Sequence, residues 1–358
     1  MPLPLHAHDR ESLAALLEAS GEPAYRADQV FDWVYRRRAA SFEAMTNLPA
    51  RLRELLAREL DPTLPVVVRA QGSKDTTRKF LLQLRDGRLI ETVLIPASPA
   101  LYGSRSDRRT ACISSQVGCA YGCRFCASGL AGFSRNLGTD EMVGQVLRIE
   151  EATGERVSNL VFMGMGEPLA NFENLLRAIR ILNEPWGVGI GARHMTVSTS
   201  GLAPQIRALA EQPIQVRLAL SLHGATDDVR GRIMPVNQKY PIAELMDACG
   251  YFRTRRNQRI TFEYILIAGV NDSDADARAL AGLARRVEAK INVIPYNHVD
   301  GLEWERPAPE RQQRFVDLLT SRGIPATLRI EKGHDIDAAC GQLRLRTEAE
   351  MAGGGALS

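Results

Sequence analysis

The sequence has no long apolar run. No stretch of roughly 18 consecutive apolar residues occurs within its 358 residues, so a membrane-spanning helix is not expected. The opening residues, MPLPLHAHDRES, also lack the apolar stretch behind a basic start that marks a secretory signal. Internal repeats and low-complexity tracts of consequence are missing as well. We therefore expect a globular, cytoplasmic protein with no membrane partner.

Cysteine is scarce, with six residues, and in a reducing compartment it does not predict a disulfide framework. Metal binding or thiol chemistry is the better expectation. Three cysteines, Cys119, Cys123 and Cys126, fall in the single stretch GCAYGCRFC with the spacing C-x3-C-x2-C. Because an extended residue spans at most about 3.6 Å, these three sulfurs must lie near one another.

The triplet is suited to a soft metal. The absence of an obvious fourth ligand helps to distinguish a zinc ion from an iron–sulfur cluster. A structural zinc site usually needs four ligands, and the histidine nearest to the triplet in sequence is His194. Four-iron clusters normally take four cysteines, so a triplet suggests one iron left open for a substrate or cofactor. A zinc loop and a chance spacing are the alternatives.

Charge is unevenly distributed. Residues 1–61 carry a net charge of −2, whereas residues 62–135 hold 11 Lys and Arg residues against four acidic ones, a net of +7. A second basic run, RTRRNQR, covers residues 253–259. Such surfaces suit a polyanion such as RNA, although a basic run is also compatible with an ordinary solvated face.

Two patterns precede residue 105. Apolar positions at helical spacing in ESLAALLEAS, ADQVFDWVYRRR and ARLRELLAREL predict a helical domain over residues 1–62. The segments PVVVRAQG, TRKFLLQL and RLIETVLIP predict three strands in a β-rich connector over residues 63–104, with Asp86 and Gly87 in a hairpin turn.

From about residue 110, strand-like and helix-like segments alternate. The predicted strands are TACISSQ, NLVFMGMG, HMTVSTS, VRLALSL, ITFEYILI and INVIPYN. Six such units predict an α/β fold over residues 105–345, with a parallel sheet and crossover helices in a partial (β/α)6 barrel. A further helix, ERQQRFVDLLTSRG, and a strand, ATLRIEKG, follow, and residues 346–358 are expected to be a disordered tail.

Polar and glycine-rich segments follow the predicted strands: GMGEP, STSG, SLHG and PYNH. In (β/α) barrels, the loops at the carboxyl ends of the strands converge on one rim and carry the site. A serine or glycine after a strand is also ordinary turn chemistry. The prediction of a binding rim therefore depends on the recurrence of these residues at successive strand ends.

Three further cysteines lie outside the triplet. Cys249, on the predicted helix ELMDACGYFR, is expected to be a small buried hydrophobe. Cys112 lies seven positions before the triplet, and Cys340 lies in DIDAACGQL. Small neighbours such as Ala339 and Gly341 leave the thiol of Cys340 little hindered. In a barrel, Cys112 and Cys340 could both reach the open end.

The triplet resembles that of the radical S-adenosylmethionine (SAM) superfamily, in which three cysteines hold a 4Fe–4S cluster and SAM chelates the fourth iron. Phe125 matches the aromatic residue usual before the third cysteine. The resemblance implies a radical SAM barrel and the chemistry of its cofactors. In that chemistry an electron from the cluster cleaves SAM to a 5′-deoxyadenosyl radical, which takes hydrogen from unreactive carbon.

Longer motifs resemble the RlmN/Cfr family of adenosine-C2 and adenosine-C8 RNA methyltransferases. Within that family they are more similar to the C2-specific group. They are CISSQVGCAYGCRFCASG, FMGMGEPLAN, VSTSG, LSLHG, INVIPYN and DIDAACGQL. The similarity covers nearly the whole chain, including the N-terminal helices. Ser128 stands where the family commonly has threonine, and the shared hydroxyl makes a large consequence unexpected.

The resemblance implies a set of site residues. Cys119, Cys123 and Cys126 would bind the cluster. The SAM contacts would be Gly166, Glu167, Ser198, Ser221, Leu222, His223 and Asn297. Among them, the carboxylate of Glu167 could meet the ammonium group of SAM in a charge-assisted hydrogen bond.

It also implies a reaction that uses two SAM molecules per turnover. Cys340 matches the cysteine that is methylated by the first, and Cys112 matches the thiol that releases the RNA by a transient disulfide with Cys340. Glu91 matches the position of the proton acceptor. Without the resemblance it would equally be a charge on an edge strand. Whether Cys112 or Glu91 removes the C2 proton stays open.

The implied substrates are adenosines of 23S ribosomal RNA, near the peptidyl-transferase centre, and of tRNA, 3′ of the anticodon. The implied partners also include an electron donor such as a flavodoxin or ferredoxin, and we expect a monomer. The basic segment 62–135 would grip phosphates. In the N-terminal domain, only Arg36–Arg38, beside Trp33 and Tyr35, is typical of an RNA-facing patch.

Three rival functions share some of these features. A C8-specific methyltransferase has nearly the same machinery. A radical SAM activase of a protein partner shares the triplet but does not need Cys112 and Cys340. A zinc-bearing RNA-binding module, which is not an enzyme, needs only a metal loop and a basic surface.

Overall fold

One large mixed sheet organises the chain, in a computed structural model that describes residues 2–97, 106–130, 132–297, 302–329, 343–345 and 347–348. Its strands are β3 (Val66–Gly72), β4 (Arg78–Gln83), β5 (Leu89–Pro96), β6 (Arg109–Cys112), β9 (Asn159–Phe162), β10 (Met195–Thr199), β11 (Arg217–Ser221), β12 (Thr261–Leu266), β13 (Lys290–Pro295) and β14 (Ala326–Leu328). Two small sheets pair β1 (Leu3–Pro4) with β2 (Leu60–Asp61), and β7 (Gln116–Gly118) with β8 (Phe133–Asn136).

The parallel part of this sheet confirms the predicted partial barrel. Strands β6 and β9 to β14 pair side by side in chain order, all parallel. Crossover helices join them, as parallel pairing requires. The connector strands, however, are not separate from the barrel. They continue the sheet in antiparallel pairing, because β5 pairs with β6. This pairing satisfies the backbone groups that an edge strand would leave open.

The helices surround the sheet. They are α1 (Arg10–Ala19), α2 (Arg26–Phe31), α3 (Ala50–Glu59), α4 (Ala127–Leu130), α5 (Thr139–Thr153), α6 (Phe172–Asn183), α7 (Ala203–Ala210), α8 (Asp227–Ile233), α9 (Ile242–Arg256), α10 (Asp274–Arg286) and α11 (Pro309–Thr320). Their ends follow local sequence signals. Ser273 caps α10 by accepting the N–H of Asp276 at 3.1 Å, and Gly154 ends α5 with φ +68°. No described helix combines the length and apolarity needed to cross a bilayer.

The N-terminal helices pack directly on the barrel. β1 and β2 pair in parallel, with Leu3 opposite Leu60, and so close this region on itself. The ring of Phe31 stacks on that of Trp186, with centroids 4.7 Å apart and planes 18° apart. Since apolar residues of the N-terminal helices and of the barrel belong to one continuous core, the region is fixed against the barrel.

Strand register decides which side chains face the interior of the barrel. Alternate residues of a strand point to the same face. Cross-strand partners lie on the same face. From β5 to β12, the partners on the interior face are Val93 with Cys112, Cys112 with Val161, Val161 with Thr196, Ser198 with Ala219, and Ser221 with Glu263. The opposite face carries fully buried apolar residues that join the main core with the helices. Polar residues therefore concentrate on the interior face.

A short C-terminal segment covers part of that interior face. Leu343 packs with Leu81 and Leu89 in a small apolar cluster of its own. The last two described residues are helical, and Thr347 is fully buried and accepts a hydrogen bond from Arg69 at 3.3 Å. At these residues the structure differs from the expected disordered tail, because packing against the sheet orders them. The rest of that tail lies outside the described residues.

Candidate active site

The cysteine loop is held at its base by a two-stranded hairpin. β7 and β8 pair antiparallel, and the N–H of Cys119 donates to the carbonyl oxygen of Gly132 at 2.9 Å. Gly118 precedes it with φ +77°, and a Cβ there would lie 1.9 Å from that same oxygen. Only glycine permits this crossing, which fixes where the loop begins.

The other two cysteines lie in a tight turn. The N–H of Cys126 donates to the carbonyl oxygen of Cys123 at 3.1 Å. Between them, the N–H of Arg124 donates to the carbonyl oxygen of Ile233 at 2.9 Å. The loop is therefore tied to the hairpin at one end and to helix α8 at the other.

All three thiols of the triplet line one cavity of about 300 Å³ at the carboxyl end of the barrel. None of them forms a disulfide with another described cysteine. Burial raises the pKa of Cys119 to about 12 and also raises the pKa of Cys123. Because a metal binds the thiolate form, metal binding to this loop must release protons.

The arrangement of donors fits a 4Fe–4S cluster. In the described part of the chain, no three His, Cys, Asp or Glu side chains surround a position for a single metal ion. A cluster makes a different demand, because each cysteine binds a different iron atom and the sulfurs stand around the whole group. Three thiols on the wall of one shared cavity, none of them in a disulfide with another described cysteine, meet that demand.

The GMGEP segment approaches the cysteine hairpin through Gln116. Gly166 has φ +96°, and a Cβ there would lie 2.5 Å from the Cβ of Gln116. The Gln116 side chain accepts the N–H of Glu167 at 2.8 Å and donates to Asn136 at 2.8 Å. Sequence reasoning missed Gln116, whose only signal is its place just before the cysteine loop. It fixes Gly166 and Glu167 at the cavity, which both of them line.

Glu167 presents a buried carboxylate to the cavity. It accepts the N–H of Leu169 at 3.0 Å and that of Ser200 at 2.6 Å. Burial raises the pKa of Glu167, and the hydrogen bonds from Ser200 oppose the rise. A carboxylate that is oriented in this way and lines the cavity is suited to hold a cationic group of a ligand.

The interior face of the barrel supplies two predicted hydroxyls and one unpredicted carboxylate. Ser198 and Ser221 line the cavity from the ends of β10 and β11. Glu263 lines it from β12, and one of its oxygens accepts from Asn292 at 3.0 Å. The other oxygen is buried with no hydrogen-bond partner among the described residues. An acidic residue inside the apolar stretch ITFEYILI was the signal that would have found it.

His223 links the rim to the cysteine loop. Its ring lies edge-on to Phe125, with centroids 4.7 Å apart. Its Nδ1 accepts the N–H of Ile265 at 3.0 Å, so this nitrogen carries no proton. Burial, followed by the nearby charge of Arg230, lowers the pKa of His223 to about 3. The imidazole is therefore neutral at physiological pH and directs an N–H from Nε2.

The remaining two predicted SAM contacts differ from each other. Asn297 lines the cavity, and its Oδ1 accepts from Arg306 at 3.4 Å. Leu222 does not line it. The Leu222 side chain is fully buried in the main core, and its N–H donates to the carbonyl oxygen of Glu263 at 3.1 Å. Of the seven predicted SAM contacts, the cavity therefore brings together six.

Glu91 and Cys112 lie on the interior face but not on the cavity wall. Register places both side chains on that face, two residues apart across β5 and β6. β5 is an inner strand, so the alternative of a charge on an edge strand is wrong for Glu91. Its carboxylate is 3% exposed, lies 3.0 Å from the ammonium of Lys79 and accepts the N–H of Arg344 at 2.6 Å.

Of the two remaining cysteines, the structure describes only Cys249. Cys249 is fully buried in the main core, as expected for a small hydrophobe, and burial raises its pKa to about 12. Cys340 lies outside the described residues. The nearest described residues beyond it, Leu343 and Arg344, contact the sheet beside Glu91.

The basic segment 62–135 is less basic at the surface than its composition indicates. At least five of its 11 cations are in ion pairs: Lys79 with Glu91, Arg85 with Asp61 and Asp140, Arg88 with Asp86, Arg109 with Glu155, and Arg135 with Asp86 and Glu141. The Arg36–Arg38 patch is paired too, with Asp32 and Glu150. Partners distant in sequence neutralise much of the excess.

In the basic run at 253–259, two arginines form ion pairs and two line a basic cavity. Arg253 pairs with Glu288 at 2.6 Å and Arg255 with Glu211 at 3.0 Å. A cavity of about 620 Å³ at the amino ends of the strands is lined by Arg193, Arg217, Arg256, Arg259 and Lys290 among others. It lies at the opposite end of the barrel from the cysteines, since Arg217 begins β11 and Ser221 ends it.

Comparison with known proteins gives a consistent result. Residues 113–281 match the radical SAM superfamily, and residues 4–60 match the ribosomal RNA large subunit methyltransferase N-terminal domain. A protein of Akkermansia muciniphila described as a probable dual-specificity RNA methyltransferase RlmN is 54% identical over 98% of each chain. A protein of Opitutus terrae described as RlmN 3, of the same probable activity, is 53% identical over 97% of this chain and 96% of its own.

A solved structure extends the comparison to the fold. The crystal structure of a radical SAM methyltransferase from Sphaerobacter thermophilus superposes with a TM-score of 0.89 at 47% identity. The match covers 95% of this chain and 99% of the other.

Proposed function

The chain belongs to the RlmN family of radical SAM RNA methyltransferases and uses a 4Fe–4S cluster and SAM, and from this premise we propose that it methylates C2 of adenosine. The proposed substrates are 23S ribosomal RNA near the peptidyl-transferase centre and tRNA at the adenosine 3′ of the anticodon. Support comes from the relatives, which are described as dual-specificity RNA methyltransferases, and from the motifs MGMGEPL and DIDAACGQL.

The cavity at the carboxyl end is the proposed site of both cofactors. Cys119, Cys123 and Cys126 would hold the cluster, because their thiols share its wall. SAM would contact Gly166, Glu167, Ser198, Ser221, His223 and Asn297, which line the same cavity. Leu222 is left out of this set, since its side chain is in the core and its backbone groups are occupied.

The charges in this cavity suit the polar end of SAM. Glu167 is buried and fixed by two backbone N–H groups, so its carboxylate is oriented before any ligand binds. Its negative charge would pair with the ammonium group of SAM. The neutral imidazole of His223 and the hydroxyls of Ser198 and Ser221 would donate to ribose or carboxylate oxygens.

Two thiols and a carboxylate would carry the methyl transfer. Bound together, the cluster and SAM supply the radical that takes hydrogen from a methyl group on sulfur. Cys340 would carry that methyl group to adenine C2, an electrophilic carbon that does not accept a methyl cation. The thiolate of Cys112 would then attack the sulfur of Cys340, so that an S–S bond forms while the bond from that sulfur to the transferred carbon breaks. That carbon keeps the electron pair and takes up a proton, which makes it the methyl group of the released RNA. Glu91 or Cys112 would take the C2 proton.

The contact between Arg344 and Glu91 is the observation that best supports this arrangement. The N–H of Arg344 donates to the Glu91 carboxylate at 2.6 Å, and Glu91 shares the interior face with Cys112. Cys340 is four residues from Arg344, a span of at most about 14 Å in extended chain. The chain therefore permits Cys340 to reach the group of residues that the reaction needs.

RNA recruitment is the proposed task of the N-terminal helices and of the remaining basic surface. Arg36 and Arg37 share Asp32 but stay more than half exposed, so each can still meet a phosphate. A flavodoxin or ferredoxin is the proposed electron donor.

Nucleoside mass spectrometry tests the proposed function. The anaerobically reconstituted protein is incubated with SAM, a reductant and RNA fragments of each substrate, and the RNA is digested. The proposal expects 2-methyladenosine from both RNAs. A product of 8-methyladenosine would instead support the C8-specific alternative, and a colourless zinc protein without product would support an RNA-binding module.

A further inference from the structure

Arg230 is a buried cation between the loops that line the candidate active site. Its side chain, on helix α8, is fully buried. Its Nε donates to the carbonyl oxygen of Leu222 at 3.1 Å, and Nη2 donates to the carbonyl oxygen of Ser200. Since Ser200 follows β10 and Leu222 follows β11, one guanidinium ties the two loops together.

The same helix holds the cysteine loop. Ile233, at the end of α8, accepts the N–H of Arg124 at 2.9 Å, and Arg124 lies between Cys123 and Cys126. Gly224 allows the rim to pass close to the helix, because a Cβ there would lie 2.6 Å from the Cα of Arg230. The position of Arg230 is therefore fixed relative to both the cysteines and the rim.

No carboxylate forms an ion pair with Arg230 within the part of the chain that the structure describes, although Asp227 lies nearby. Its third contact is with the neutral amide of Asn237, at 2.9 Å. The nearby carboxylate of Asp227 accepts instead from Asn237 at 3.0 Å and from the N–H of Ile242 at 2.9 Å. A buried charge without a counter-charge is strongly unfavourable. A negative group close to Arg230 would remove that cost.

Thiolates of the cysteine triplet would supply that negative charge. The triplet lies beside the helix of Arg230, because Ile233, three residues further along α8, accepts the N–H of Arg124 between Cys123 and Cys126. Ser200, whose carbonyl oxygen accepts from Arg230, lines the same cavity as the three cysteines. Burial lowers the pKa of Arg230 to about 10, so its charge lies in a poorly solvated region, where its field is weakly screened.

We propose that the thiolate-bound cluster is the counter-charge of Arg230, and that Arg230 is a positioning residue that also raises the reduction potential of the cluster. This inference rests on the proposed assignment of Cys119, Cys123 and Cys126 to the cluster. Reduction adds one electron to a group beside a buried cation, which stabilises the reduced form. Buried charge and hydrogen bonding around a cluster are among the factors that set its potential.

A redox titration tests the proposal. The full chain is reconstituted anaerobically without SAM, and the reduced cluster is followed by electron paramagnetic resonance. Arg230→Gln should shift the midpoint potential to a more negative value, whereas Arg230→Lys, which keeps the charge, should stay near the wild type. Arg232→Gln is the matched control, because Arg232 is exposed on the same helix, where water screens its charge.

A midpoint potential that is the same in the wild type and in Arg230→Gln would overturn the proposal. If Arg230→Gln does not fold, Asn237→Asp replaces it, because a carboxylate at this position neutralises Arg230 in place and should also lower the potential. Wild-type protein that assembles no 4Fe–4S cluster would count against the proposed function itself. Wild-type protein that assembles a cluster with a potential insensitive to Arg230 would count against this inference alone.

Discussion

The ammonium group of Lys79 lies 3.0 Å from the carboxylate of Glu91, and both side chains are almost wholly excluded from water. Strand register places Lys79 beside Val93 and Glu91 beside Leu81, so the pair lies diagonally across β4 and β5 on the interior face of the barrel. A charged pair inside a sheet is seldom the most stable choice. Its retention here is consistent with a need for a carboxylate beside Cys112.

Removal of Lys79 should destabilise the fold strongly. Lys79→Met leaves Glu91 buried without its counter-charge, which costs about 3–5 kcal/mol in comparable pairs. The double variant Lys79→Met, Glu91→Met should recover much of that loss, because both charges of the pair are then removed. It should not methylate RNA if Glu91 takes the C2 proton, and should keep activity if Cys112 does. Urea unfolding and a methylation assay measure the two effects. A single variant that loses less than about 1 kcal/mol would contradict the importance of the pair.

Gly166→Ala should weaken SAM binding, and not only destabilise the fold. The new Cβ would lie 2.5 Å from the Cβ of Gln116, which holds the backbone of Glu167. Displacement of Gln116 should weaken SAM binding roughly tenfold or more, equivalent to the loss of about one charge-assisted hydrogen bond. Equilibrium dialysis of SAM with reconstituted protein measures this.

Gly87→Ala is the matched control for that variant. Gly87 also has a positive φ, +80°, but a Cβ there would meet no atom within 4 Å. Both variants should lose stability through backbone strain, about 1–2 kcal/mol, yet only Gly166→Ala should lose SAM affinity. Equal SAM affinities in the two variants would show that Gln116 does not position Glu167.

The stability of the apoprotein should fall as the pH drops below about 6.5. Burial lowers the pKa of His6 to about 4 and that of His223 to about 3, whereas in the unfolded chain both titrate near 6.5. The unfolded state therefore binds protons between these limits and the folded state does not. Each histidine should cost about 1.4 kcal/mol per pH unit in this window.

His6→Gln isolates one of these contributions. The ring of His6 contacts the carbonyl oxygen of Pro62 at 3.2 Å, and a glutamine amide can donate in its place. Urea unfolding at pH 7, 6 and 5 should show a smaller loss of stability for the variant than for the wild type. Parallel pH profiles for the two proteins would mean that folding does not change the pKa of His6.

Arg36→Ala with Arg37→Ala should weaken RNA binding without affecting SAM cleavage in the absence of RNA. Both side chains are more than half exposed, and Arg37 also lies over the ring of Trp33 at 4.4 Å. Arg38 is left intact, because its ion pair with Glu150 joins the N-terminal region to the barrel. Filter binding at several salt concentrations measures the affinity and the number of phosphates contacted. Unchanged binding would make this patch an ordinary surface.

Local patterns in the sequence were sufficient to predict the elements and most of the residues that line the carboxyl-end cavity. Alternating apolar strands and helices predicted the barrel, and the spacing of Cys119, Cys123 and Cys126 predicted a metal loop. Residues that follow the strands, such as Glu167 and Ser221, do converge on one cavity. These features depend on neighbours close in sequence or on the general rule for strand ends.

Features that depend on long-range register could not be predicted. Nothing near Gln116 in the sequence shows that its side chain contacts Glu167. The acidic residue within ITFEYILI marks Glu263, but only the register of β12 shows that it faces the cavity. The ion pair of Arg109 with Glu155 likewise joins residues 46 positions apart, so a count of charges overestimated the basic surface. Leu222 shows the converse, because its side chain packs in the core while its neighbours in the motif, Ser221 and His223, line the cavity.

Covalent trapping of RNA tests most directly whether the methyl group reaches adenine through Cys340 and whether Cys112 then releases the methylated RNA. The variant Cys112→Ala is incubated anaerobically with SAM, a reductant and substrate RNA, and the products are separated on a denaturing gel. The proposed mechanism predicts a protein–RNA conjugate that maps to Cys340 by mass spectrometry and is lost in Cys112→Ala with Cys340→Ala. Normal release of methylated RNA by Cys112→Ala, or a conjugate at another residue, would contradict it.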